Sequence, residues 1–104
     1  MAELFVYVTC ESLEQAEALG RSLVEQRLCA CVNLLPGMRS LYWWKGKVEA
    51  GSEVVLIAKT REDLLERFTQ AVKDGHSYEV PCVVALPILG GNPDYLQWIH
   101  DETA

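Results

Sequence analysis

Cys29-Ala30-Cys31-Val32-Asn33-Leu34-Leu35-Pro36-Gly37, running on to Leu41-Tyr42-Trp43-Trp44-Lys45-Gly46-Lys47, is the stretch from which the rest of the chain is read. A helix ends before it, two cysteines stand two apart, and a long strand bent at Pro36-Gly37 carries adjacent tryptophans to a glycine turn. Neighbouring side chains of a strand point to opposite faces. Trp43 and Trp44 therefore cannot both enter the core of one small domain, and one of them needs water or a second subunit.

Working outward, Lys45-Gly46 reads as the hairpin turn and Lys47 to Thr60 as the returning strand, with a bulge at Ala50-Gly51-Ser52. Val54-Val55-Leu56-Ile57-Ala58 within it is fully apolar, as a central strand buried on both faces would be. Upstream, Leu4-Phe5-Val6-Tyr7-Val8 has the same character inside a strand from Glu3 to Cys10. Between the two, Ser12 opens a helix with Gln15 in the capping-box position. Leu13, Ala16, Leu19, Leu23 and Val24 form its apolar stripe.

Downstream, Thr60 is predicted to cap a second helix with Asp63 at the third position. Leu64, Leu65, Phe68, Ala71 and Val72 line its buried side, and Gly75 ends it. His76 to Pro81 connects to a strand from Cys82 to Ile88, which Pro87 assigns to a sheet edge although both its faces are apolar. Asn92-Pro93-Asp94 begins a last helix, with a capping residue followed by proline, and Tyr95, Leu96 and Ile99 face inward.

Strand-helix-strand-strand-helix-strand with an added C-terminal helix is the α+β, ferredoxin-like split β-α-β pattern, with strand order 4-1-3-2. Helices cover one face of such a sheet. The other face and the long hairpin need cover, and a homo-oligomer supplies it economically. The first and third strands are expected to run parallel, with the second and fourth opposed to them. On that expectation Cys10, Cys31, Lys59, Cys82, His76 and Glu79 converge at one end of the sheet.

The composition narrows the function. The chain has 104 residues, read as a single domain over 1–104, and 50% of them are hydrophobic, enough for a core without staples. Fifteen acidic against nine basic residues leave a net charge of −6, which argues against nucleic acid and against an anionic membrane surface. No apolar run approaches a membrane span. Four cysteines without an export signal read as thiols in a reducing cytoplasm. Thiolate and imidazole are ligands for copper(I), zinc or mercury rather than magnesium or calcium. Cys29-Ala30-Cys31 is not a C-x-x-C motif and nothing completes a closed zinc site, so Cys29 reads as a core residue closing the helix. Lys59, at the end of an apolar strand, is expected to meet Glu79. His100 carries no assigned role. Cys31 or Cys10 as a nucleophile with His76 as base is an open alternative, as is a purely structural role for the whole cluster.

Ala30-Cys31-Val32-Asn33, Tyr42-Trp43-Trp44-Lys45-Gly46-Lys47, Lys59-Thr60-Arg61, His76-Ser77-Tyr78-Glu79-Val80-Pro81 and Gly91-Asn92-Pro93-Asp94-Tyr95-Leu96 with Trp98 together resemble the CutA family of divalent-cation tolerance proteins. The resemblance spans about Leu4 to Thr103. It implies a ferredoxin-like protomer, a cytoplasmic homotrimer, and a role linked to copper and other divalent metals without enzymatic activity. No organic cofactor is implied. By motif it places Cys31 as the family's cysteine and Lys59, His76, Tyr78 and Glu79 in a cleft near a subunit seam, where Trp43 and Trp44 would also pack. Cys10, Cys31, His76, Glu79 and Cys82 are the expected metal ligands, binding transiently. Two residues depart from the family's H-P-Y-E-V-P-E string: Ser77 replaces the proline and Cys82 the final glutamate, a change toward softer metals. A small-ligand-sensing trimer resembling the nitrogen-regulatory PII proteins, holding an organic anion at Lys59, is the alternative.

Overall fold

The computed structural model describes residues 2–103. Strand β1 (Glu3–Cys10) is followed by α1 (Leu13–Glu25), β2 (Cys31–Trp44), β3 (Lys47–Arg61), α2 (Leu65–Gly75), β4 (Val83–Pro87) and α3 (Pro93–Asp101). The four strands form one sheet in the order β2-β3-β1-β4, the predicted order read from the other edge. Every neighbouring pair is antiparallel. This corrects the expectation that the first and third strands run parallel. The β1-α1-β2 crossover makes β1 and β2 the parallel pair, and β3, inserted between them from the hairpin, must oppose both.

Local chemistry explains most element boundaries. Ser12 Oγ accepts the Gln15 amide at 3.1 Å, and Gln15 Oε1 accepts the Glu11 amide at 2.9 Å, a reciprocal cap set one residue early. Asn92 Oδ1 accepts the Asp94 amide at 3.0 Å ahead of Pro93. At the hairpin tip Lys45 (φ 50°) and Gly46 (φ 81°) are both left-handed, as a two-residue turn matched to strand twist requires. Thr60, in contrast, caps nothing. It is buried in β3, and its hydroxyl donates to the Leu28 carbonyl at 2.7 Å, while a short 3-10 turn at Glu62–Leu64 leads into α2 without a side-chain cap. The irregularity in the hairpin also lies elsewhere than predicted. Gly51 pairs regularly with Ser40, whereas the register shifts between Leu35 and Met38, where Pro36 and Gly37 oppose the single residue Val54.

Leu4, Val6, Val8 and Cys10 of β1 and Val54, Leu56 and Ala58 of β3 pack beneath α1 and α2 with Ala16, Leu19, Leu23, Phe68 and Val72. Leu13 and Val24, predicted on the buried stripe of α1, are exposed at its two ends, where the sheet no longer lies beneath the helix. The opposite face carries Tyr7, Thr9, Cys31, Leu35, Ile57 and Lys59 and has no covering layer except α3 at one end. β4 is an edge strand, and its Val84 and Leu86 are exposed.

Candidate functional site

Strand direction decides which side chains meet. Cys31 pairs with Lys59, and Lys59 pairs with Phe5, so Cys31 sits level with the start of β1. Cys10 lies five residues further along β1, about 17 Å away in the strand direction. The single convergence expected from sequence therefore divides into two groups at opposite ends of the sheet.

The first group lies near α3. Lys59 donates to the Asn33 side-chain carbonyl and not to Glu79. Cys31 Sγ is 3.5 Å from Tyr95 Oη. That contact, and then burial, pushes the Tyr95 hydroxyl up to about 12. His100, given no role from sequence, lies 2.5 Å from Glu3 and ties α3 to β1. Tyr95, expected inside, is exposed because its ring leans toward Trp98 (centroids 5.4 Å apart) while Ile99 fills the core position.

The second group surrounds an open cleft of about 770 Å³ between the hairpin and residues 76–80. Tyr7, Thr9, Met38, Ser40, Tyr42, Trp44, Glu53, Tyr78, Glu79 and Cys82 contribute to its lining. Tyr78 Oη donates to Glu53 Oε2 at 2.8 Å. Burial first, and then this carboxylate, hold the phenol protonated well above its ordinary range. Tyr7 Oη reaches Met38 Sδ at 3.3 Å. Glu79 pairs with Lys45 at 3.7 Å, an exposed contact of little energetic weight. Cys82 stands one residue before the Val83–Val8 rung, level with Thr9 on the open face. Burial and the nearby Glu53 charge raise its pKa.

His76 closes this end of the sheet. Its Nδ1 accepts the Tyr78 amide at 3.0 Å and its Nε2–H donates to the Thr9 carbonyl at 2.7 Å, so both ring nitrogens are committed to backbone. In this arrangement the imidazole has no lone pair for a metal or for proton abstraction. Cys10 faces the helices and is fully buried; burial, then Glu53, pushes its thiol up to about 11. Cys29 is likewise in the core, pushed up to about 12 by burial and then by Cys31. Among the described residues, no three His, Cys, Asp or Glu side chains are grouped as a metal site. The accessible thiols are Cys31 in the first group and Cys82 in the second.

Trp44 faces the cleft, while Trp43 is 75% exposed on the other side of the hairpin, the division that strand alternation requires. Glu53, Asn33, Met38 and Tyr7 were not anticipated. The signal for Glu53 was a lone carboxylate immediately before the apolar run Val54-Val55; the others depended on cross-strand register.

A family profile described as CutA1 divalent ion tolerance protein matches residues 4–102. Protein CutA 1, chloroplastic, of Oryza sativa subsp. japonica is 49% identical over 100 residues, which make up 96% of this chain and 56% of that protein. The chain thus spans little more than half the length of that relative. The crystal structure of CutA1 from Oryza sativa superposes with a TM-score of 0.97 at 47% identity, covering 100% of this chain and 95% of that one. The structure of the periplasmic divalent cation tolerance protein CutA from Archaeoglobus fulgidus gives 0.93 at 42% identity, covering 96% of this chain and 97% of that one.

Proposed function

The chain belongs to the CutA1 divalent ion tolerance family, and we propose that it works there without catalysis, as a cytoplasmic homotrimer that takes up copper or another divalent metal transiently. One observation carries the reading: the accessible thiols Cys31 and Cys82 both lie on the uncovered sheet face, yet a single chain gathers no complete donor set around either. An ion held there would draw donors from more than one chain or sit in a site of low coordination number, and thiol donors favour soft ions over hard ones. His76 and Cys10 are left out of the ligand set on the geometry above.

The trimer is supported by the hairpin. Leu41, Trp43 and Val48 share its outer face and are 78%, 75% and 61% exposed. Val84 and Leu86 of the opposite edge strand add a second exposed apolar surface, on the uncovered face of the sheet, and oligomers cover surfaces of this kind. The non-catalytic reading is supported by the distance between Cys31 and His76 and by the backbone bonds that occupy both imidazole nitrogens. Four free cysteines fit a reducing compartment, although one relative is named chloroplastic and another periplasmic.

The test is copper(I) competition against a chromogenic chelator, with reduced protein under anaerobic conditions. Affinity tighter than about nanomolar, near −12 kcal/mol, at a fixed ratio per protomer is the expected result. Cys31→Ser and Cys82→Ser should each weaken it, and Cys82→Glu should shift preference away from copper(I). Binding no tighter than about micromolar would overturn the reading.

A further inference from the structure

The cleft at the hairpin carries a reading separate from the thiols and from metal. We propose that it binds a small organic cation, an ammonium group on an apolar body, with the charge set against Glu53 and the body against the rings of Trp44, Tyr42 and Tyr78. Its volume, about 770 Å³, lies in the range of small-molecule sites.

The charge balance favours a cation. Glu53 is half-buried and its carboxylate has a neutral partner, the Tyr78 hydroxyl at 2.8 Å. None of the ion pairs among the described residues includes it. Arg39, among the described residues the one cationic residue lining the cleft, donates to Ser52 Oγ at 3.0 Å, and Lys45 at its edge pairs with Glu79 and not with Glu53. A carboxylate held against apolar walls without a counter-charge is costly, and a cationic ligand removes that cost. Burial first, and then the Glu53 charge, raise the pKa values of Tyr78 and Cys82 beside it.

The walls favour an organic cation over a hydrated metal ion. Aromatic faces attract ammonium groups through their quadrupole and bury the attached apolar body, whereas a hard divalent ion requires a shell of oxygen donors. Trp44 already shows the interaction, since Lys45 Nζ lies 5.6 Å from its ring centroid. The net charge of −6 raises the local concentration of cations further.

The experiment titrates 2-phenylethylammonium into the intact protein in the presence of EDTA, by calorimetry and by amide chemical shifts. The neutral 2-phenylethanol is the control, and Glu53→Gln keeps an acceptor for Tyr78 while removing the charge. Saturable binding of the amine is expected, with shifts confined to the inner face of the hairpin and residues 76–80. The alcohol, and the amine on Glu53→Gln, should each bind about tenfold more weakly. Equal affinity for amine and alcohol, unchanged binding by Glu53→Gln, or no saturation up to about 10 mM amine would each overturn the proposal. The amine–alcohol contrast uses the unaltered protein and so does not depend on the variant folding. Because chelator is present, failure here leaves the copper reading intact, and failure of the copper reading leaves this one intact.

Discussion

Thr60 shows how one residue can look like a helix cap and serve the core instead. Its hydroxyl bonds the Leu28 carbonyl in a fully buried position, linking β3 to the chain just before β2. Thr60→Val should lower stability in urea by about 1–2 kcal/mol, because it leaves a buried acceptor unpaired, and Thr60→Ser, which keeps the hydroxyl donor, should avoid most of that loss. The buried thiols set the alkaline limit. Cys10 and Cys29 rise from the ordinary 9.0 to about 11 and about 12 in the folded chain. The folded values lie above the unfolded ones, so this stabilisation is complete below about pH 9 and is lost as pH climbs through 11 and 12. Urea midpoints measured from pH 8 upward should fall across that window, and Cys29→Ala should flatten the fall.

At the scale of elements, α1 lies so close to β2 that Gly20 has no room for a side chain. A Cβ there would stand 2.8 Å from Val32 Cγ2. Valine is stiff at χ1 and cannot swing aside. Gly20→Ala should therefore destabilise by about 1–3 kcal/mol in denaturant unfolding, against the roughly 1 kcal/mol that helix propensity alone would add. The elements themselves were legible in the sequence: the apolar runs of β1 and β3, the Ser12 and Asn92 caps, the Lys45-Gly46 turn, and Pro87 at an edge. Their directions were misread, and the candidate site went with them. Side chains such as Cys31 and Cys10 meet or part according to which way a strand runs, and hydrophobic periodicity is blind to direction. The right-handed crossover rule fixes it, since β1 and β2 must be parallel once β3 lies between them. Glu53, Asn33 and Met38 depend further on register, which the bulge at Pro36-Gly37 alters.

As a whole the protomer is more extended than its length requires. Its radius of gyration is 14.1 Å, against about 12.9 Å for a compact chain of this size. Its surface is 6441 Å², against about 5,900 Å². The excess belongs to the hairpin, where residues 47–53 pair with β2 alone and reach about 23 Å past the last β1 rung at Cys10–Val54. A projection with Trp43 on its outer face is poorly suited to a solitary chain in water. Sedimentation velocity should find a folded trimer that persists in moderate denaturant, and Trp43→Glu should shift it to a smaller species with its far-ultraviolet circular dichroism intact.

The bulge at Pro36-Gly37 has a consequence for how the hairpin is addressed. Up to Leu35 the odd-numbered residues of β2 face the uncovered side of the sheet; from Met38 onward the even-numbered ones do. The bulge thus works as a spatial reading frame: by absorbing one residue it keeps Trp44 in the cleft and Trp43 on the exterior. Deleting Gly37 would leave Pro36 alone opposite Val54 and every rung from Met38–Glu53 to Trp44–Lys47 in place. One residue added between Met38 and Trp43, with no bulge to absorb it, would instead act as a frameshift in three dimensions and exchange the two indoles.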